Sequence, residues 1–246
     1  VGNVALYDNS VPYDNVRINS GMIIIRCDKE KILPKYLYFV LKSSLFQDQV
    51  ENFRSGSAQP QLPIRDMQNM RLPLPILDEQ ENVINQVGTI DEKIELNRQM
   101  NETLEQMGQA LFRHYFIDNP EAEKWKQVPI SELCEKVASG GTPATRREDY
   151  YGGDVQWYST KELKDGFLFG SEKTITGEGL SNSAAKLFPK DTVTMAIYAA
   201  PTVGRLGVLT SEATFNQATC GLVAKPEVGY EFIYLYLLLS RADLNN

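Results

Sequence analysis

Between residues 83 and 115 the chain keeps a spacing that only a long helix accommodates. Val83, Val87, Ile90, Ile94, Asn97, Asn101, Leu104, Gly108, Leu111 and Tyr115 follow one another at alternating steps of four and three. That pattern places all ten on one stripe of a helix, the a/d seam of heptad packing. The other faces are dense in Glu, Gln, Asn and Lys, as expected of a helix that meets solvent everywhere except at the seam. Pro73 and Pro75 prevent an earlier start, and Asp78 with Glu81 predicts an N-cap and capping box. A helix over about residues 78–116 would be ~58 Å long at 1.5 Å per residue. A domain of this size needs no such rod for its own core, so the seam predicts a partner helix. Asn97 and Asn101 would select register and orientation, and Gly108 would allow close approach at about 1 kcal/mol relative to Ala.

The helix also explains the charge. The whole chain carries −7 and has a pI near 4.9, which on its face argues against a polyanionic partner. Residues 1–75 hold nine Lys/Arg against seven Asp/Glu, residues 76–118 three against nine, and residues 119–246 thirteen against sixteen. The acidic excess therefore sits on the middle segment, and the flanks are near neutral and free to carry local basic patches. These composition breaks define three parts: 1–75, the long helix of 76–118, and 119–246.

The longest apolar run, Phe232 to Leu239, is far shorter than the ~20 residues of a membrane span. Cys27, Cys134 and Cys220 are scattered without C-x-x-C spacing, and His114 is the only histidine. Neither a disulfide framework nor a zinc site is indicated, no cofactor is expected, and a soluble cytoplasmic protein with reduced thiols fits best.

The flanks repeat each other. Val1-Gly2-Asn3-Val4-Ala5-Leu6-Tyr7 parallels Val203-Gly204-Arg205-Leu206-Gly207-Val208-Leu209, and Arg17 to Ser20 parallels Thr214 to Gln217. The β-rich Met22 to Ile25 parallels Leu222 to Ala224, and Tyr36 to Leu41 parallels Phe232 to Leu237. A unit of roughly 200 residues is implied, too long for a solenoid array. With no initial methionine, the chain reads as a window across two repeats: the back of one domain, the helix, and the front of the next. Alternatively, the two pieces close on each other as one circularly permuted domain.

Phe53-x-x-Gly56-Ser57-x-Gln59, Leu72-Pro73-Leu74-Pro75, Glu79-Gln80, Ile90-Asp91-x-x-Ile94, Asn101-x-x-Leu104 and Leu111-Phe112-x-x-Tyr115-Phe116 occur in that order. Together they resemble the conserved region of type I restriction-modification specificity (S) subunits, although the family commonly has Trp-Phe where Tyr115-Phe116 stands. Ser139-Gly140-Gly141-Thr142-Pro143, Trp157, Gly179-Leu180, Ser183, Leu187-x-Pro189, Val203-Gly204 and Asn216-Gln217 resemble landmarks of that family's target-recognition domains. The resemblance covers nearly the whole chain. It implies an α+β fold in which target-recognition domains of mixed strands and short helices are joined by long helices. Each domain would read half of a split DNA site. The helix would dock methyltransferase (M) subunits and, through them, endonuclease (R) subunits, and would pair antiparallel in a homodimer or with a second conserved helix. The chain itself would be non-catalytic. The competing class is a truncated S fragment that acts as an assembly adaptor without binding DNA.

Bases are read by polar side chains, and phosphates are held by Lys, Arg and amides. In the second flank Thr142, Thr145, Arg146 and Arg147 are candidates; Gly140 to Pro143 could equally form a solvated turn. Lys161 and Lys164 follow Trp157-Tyr158, aromatics better suited to the core than to base stacking, and the lysines could instead mark a solvated helix start. Lys173, Ser181, Ser183, Tyr198 and Arg205 complete that set, with Lys186 nearby. In the first flank Arg54, Ser57 and Gln59, with Ser55 and Gln61, suit base or phosphate contacts, although a polar loop is the slightly stronger reading.

Enzymatic alternatives are weaker. Asp154 with Glu162-x-Lys164 mimics the acidic pair and lysine of a Mg²⁺-dependent nuclease, a pattern short enough to recur by chance. Gly177-x-Gly179 lacks the third glycine of a dinucleotide fingerprint, and Asn9-Ser10-Val11-Pro12-Tyr13 does not match the Asn-Pro-Pro-Tyr element of adenine methyltransferases.

Overall fold

A computed structural model describes residues 1–7, 16–56, 60–198 and 201–241. Two compact units divide within the long helix, Val1–Thr103 and Leu104–Asn246.

In the first unit, α1 (Pro34–Lys42), α2 (Ser44–Phe53) and α3 (Ile64–Met67) precede the start of α4 (Leu77–Phe112). Proline at the first position of α1 suits a helix start because its missing N–H has no intrahelical partner there. Leu37, Leu41, Phe46 and Val50 form a small core, joined by Val4, Cys27, Ile32 and Leu62. Gln80, fully buried, pins the base of α4: its Oε1 accepts from the Leu33 amide at 2.9 Å. Its Nε2 donates to the carbonyls of Lys31 and Pro75 at 2.9 and 2.8 Å. A buried amide satisfied this fully fixes geometry as well as contributing stability.

The helix begins at Leu77, so Asp78, expected as its N-cap, lies inside the first turn with Glu79. After Phe112 it widens into a π turn, Arg113–Ile117. The expected extent of 78–116 therefore holds. Its seam is uncovered: Ile90, Ile94, Leu104, Leu111 and Tyr115 are each more than half exposed, Val83 and Val87 somewhat less, and Asn97 and Asn101 are also exposed. Gly108 is half-buried, and an added Cβ there would meet nothing within 4 Å. Exposed Met100 and Met107 widen the stripe on one side.

In the second unit two sheets pack together. A five-stranded sheet runs β1-β8-β5-β6-β3, with β1 Cys134–Ser139, β3 Gly166–Leu168, β5 Val193–Ala196, β6 Leu206–Leu209 and β8 Thr219–Ala224. The other runs β4-β2-β7, with β2 Tyr151–Tyr158, β4 Lys173–Ile175 and β7 Thr214–Phe215. All of β6 is buried, as a strand flanked on both edges and covered on both faces requires. A short helix, α5 (Gly177–Ser181), follows β4. The final helix, α6 (Tyr230–Leu239), sets Ile233 and Leu237 against Val193, Leu206 and Leu222. Phe112 and Phe116 close on Phe232 of α6, with ring centroids 5.4 and 5.3 Å apart.

The repeat is visible in the helices. Leu37 and Leu41 of α1 are buried, as are their counterparts Ile233 and Leu237 of α6. It is not visible in the strands. Met22 to Ile25, expected to be β, lies outside any strand, each residue 44–57% exposed. Its counterpart lies in β8 between β1 and β5, and among the described residues of the first unit no strand offers such neighbours.

Candidate nucleic-acid interface

The loop after β1 is built by close packing. A Cβ on Gly140 would lie 2.0 Å from the Phe215 carbonyl oxygen, and one on Gly141 would lie 2.1 Å from that of Ala184. Both glycines are thus needed for the approach of this loop to protein backbone. The buried Trp157 Nε1 donates to the Gly141 carbonyl at 2.9 Å, and the Tyr151 hydroxyl donates to that of Pro143 at 2.8 Å. Tyr158 is buried too, so both aromatics of the Trp157-Tyr158 pair are core.

What this frame presents is polar. Thr142, Thr145 and Lys173 line one cleft of about 490 Å³ together with Glu148, Glu172 and Thr174. The Thr142 hydroxyl donates to Gln217 Oε1. Gln217, exposed on the β7–β8 turn, was legible as part of a family landmark but not as a candidate contact. Its position comes from long-range pairing.

The candidate cations differ in freedom. Arg146 is exposed, with no hydrogen bond or ion pair among the described residues. Arg147 is committed: it chelates Asp149 at 2.8 and 2.6 Å, lies 3.7 Å from Glu178, and stacks 4.4 Å from the Tyr150 ring centroid. The Arg147 hydrogen bonds hold the Asp149 carboxyl below its ordinary range. Lys161 pairs with Glu172, whose carboxyl is lowered by that hydrogen bond and by the charges of Lys161, Lys164 and Lys173. Lys161 is thus committed to Glu172, whereas Lys164 and Lys173 act on that carboxylate through their charge alone.

Ser181 is exposed at the end of α5, whereas Ser183 Oγ accepts from the Ala185 amide at 3.1 Å and serves a turn. Lys186 is exposed, and Tyr198 is 47% exposed after β5. Arg205, half-buried, enters β6 beside Asp165. Asp165 adopts φ 59° and receives both terminal nitrogens of Arg241, at 2.9 and 2.6 Å. Burial opposes its ionisation, but the bonds from Arg241 and the Leu206 amide outweigh it and keep the carboxyl below its usual range. Nearby Tyr234 is pushed up to about 12, by burial first and then by Glu105.

In the first unit, Arg54 is paired with Glu51 at 2.9 Å, and Ser55 and Gln61 exchange backbone hydrogen bonds. Ser57 and Gln59, like the Asn9–Tyr13 element, lie outside the described residues. The nuclease pattern loses its acid. Glu162 Oε2 accepts from the Ser159 amide and hydroxyl, and Oε1 accepts from the Glu172 amide, so this carboxylate is a structural cap. No group of three metal-ligating side chains occurs among the described residues, and no described helix is long and apolar enough to cross a membrane.

Residues 1–106 and 122–246 match the family described as the type I restriction modification DNA specificity domain. The chain belongs to this family. Among curated specificity-family relatives, the EcoR124I/EcoR124II specificity subunit of Escherichia coli is 25% identical over 95% of this chain and 58% of its own length. The HindI specificity subunit of Haemophilus influenzae is 30% identical over 48% of this chain and 26% of its own. The MjaIX specificity subunit of Methanocaldococcus jannaschii is 25% identical over 67% and 42%. The chain thus spans about a quarter to three fifths of the length of these relatives. Its fold is similar to that of the type I restriction-modification S subunit from M. genitalium, with TM-score 0.50 and 17% identity over 89% of this chain and 56% of the other.

Proposed function

We propose that this chain is a non-catalytic, DNA-reading part of a type I restriction-modification specificity subunit, organised as recognition parts at 1–75 and 119–246 around the helix of 76–118. The second part binds duplex DNA through its 139–205 loops, and the 54–61 loop of the first part adds contacts. The observation that carries this reading is the cleft: Thr142, Thr145 and Lys173 meet there, two hydroxyls and a cation suited to base edges and phosphate. The exposed seam of α4 serves assembly. It pairs antiparallel with the same helix of a second copy, and the assembled helices dock methyltransferase subunits and, through them, endonuclease subunits. Titrating the chain with random-sequence duplex at several salt concentrations tests the reading. A linear fall of log K with log salt, steepening by about 0.9 per phosphate contacted, supports it. No binding at low salt leaves the assembly adaptor.

A further inference from the structure

Phe169 is 83% exposed, and the reason lies in how its loop is fastened. On one side the Leu168 carbonyl accepts from the Thr210 hydroxyl at 2.6 Å. On the other, the Ser171 amide donates to Gln156 Oε1 at 2.7 Å, and the Ser171 hydroxyl accepts from the Trp157 amide at 3.1 Å. Only Phe169 and Gly170 stand between these fastenings. A Cβ on Gly170 would meet nothing within 4 Å, so the crest stands clear of its surroundings. A longer, unfastened loop would let the ring fold back onto apolar surface; this one presents it to solvent. Phe167, itself half exposed, lies beside it with ring centroids 6.4 Å apart.

Unpaired lysines stand near the crest. Glu172, three residues on, is ion-paired with Lys161 and lies within the field of Lys164 and Lys173. Glu162, whose Oε1 accepts from the Glu172 amide, is a second carboxylate here, and Lys164 and Lys173 are the lysines whose side chains are left without a hydrogen bond or ion pair among the described residues. A lipid-like or purely apolar protein surface would complement the ring but not the lysines, and a plain polyanion would complement the lysines but not the ring. Duplex DNA offers both, an apolar base stack edged by phosphates, and proteins that insert Phe between base steps gain contact by opening the stack there.

We propose that Phe169 is a wedge that enters one base step of the bound duplex while Lys164 and Lys173 hold the flanking phosphates. The half-site is then read partly through the ease with which that step opens. The step chosen is a pyrimidine–purine one, because these unstack at least cost. The inference rests on the DNA-binding reading above.

The test uses the full chain and a duplex enriched from a random-sequence pool by retention on it, with 2-aminopurine replacing each adenine in turn. The wild type raises fluorescence at one pyrimidine–purine step. Phe169→Ala abolishes the rise and weakens binding about tenfold or more, with the salt slope unchanged, and Phe169→Trp restores the rise. Lys173→Ala lowers the salt slope by about 0.9. Because the ring is exposed, Phe169→Ala keeps the wild-type thermal midpoint, which separates lost contact from lost fold. If the wild type binds DNA and Phe169→Ala matches it in affinity and fluorescence, the wedge is overturned while DNA binding stands, and the crest becomes a surface for a protein partner. If the wild type binds no duplex at low salt, both readings fall.

Discussion

Two adjacent arginines show how little a side chain's type says about its availability. Arg146 and Arg147 are equal candidates in sequence, yet only Arg146 is free to meet a phosphate, because Asp149, Glu178 and Tyr150 occupy its neighbour. Arg146→Ala should lower the salt slope of DNA binding by about 0.9. Arg147→Ala should leave that slope alone and slightly lower the thermal midpoint, and equal loss of slope in both variants would contradict the assignment. The pair Asp165–Arg241 yields a different prediction. Its carboxyl titrates below its unfolded value, so its contribution is present above about pH 4 and disappears as pH falls through the lower folded value. Asp165→Asn, which tolerates the positive φ, should cost on the order of 1 kcal/mol at neutral pH. That deficit should shrink in urea unfolding at pH 3; a constant deficit would refute the linkage.

The elements divide into those that local sequence dictates and those that it does not. Helix α4 was legible because its period is written into consecutive residues, and the likeness of residues 36–41 to 232–237 was legible as a repeat, although not as a pair of helices. The Met22–Ile25 segment shows the converse. Its apolar, β-branched character reads as strand, but a strand exists only where a neighbouring strand accepts its hydrogen bonds. The cleft was half legible for the same reason: Thr142, Thr145 and Lys173 announce themselves as polar candidates, whereas Gln217, Glu172 and the fastening of Phe169 come from contacts 10 to 75 residues apart in sequence. At this scale the seam makes the test. Ile90 and Ile94 are 63% and 62% exposed, so Ile90→Asp/Ile94→Asp should leave circular dichroism and fold unchanged. In light scattering the variant should fall from a dimer to the 27.7 kDa chain. A wild type of monomer mass, or a variant that stays dimeric, would sink the proposed pairing.

For the whole molecule, charge and symmetry combine. The −7 average is no barrier to DNA, because salt confines exposed charges to a range of about 10 Å at 0.1 M, and the acidic excess lies on residues 76–118 while Lys173 lines the cleft and Arg146 stands unpaired in the second flank. Two copies joined through one seam form an isologous interface, in which each contact occurs twice about a twofold axis. A DNA site bound by such a pair must share that axis. Sequences selected from a random pool by the wild type should therefore form an inverted repeat with a fixed spacer between half-sites, one half per copy. The Ile90→Asp/Ile94→Asp variant should select a single half-site, bind it with the same salt slope per copy, and lose any preference for spacer length. A direct repeat, or an inverted repeat that survives in the variant with its spacer preference intact, would show that the spacing is set by something other than the helix seam.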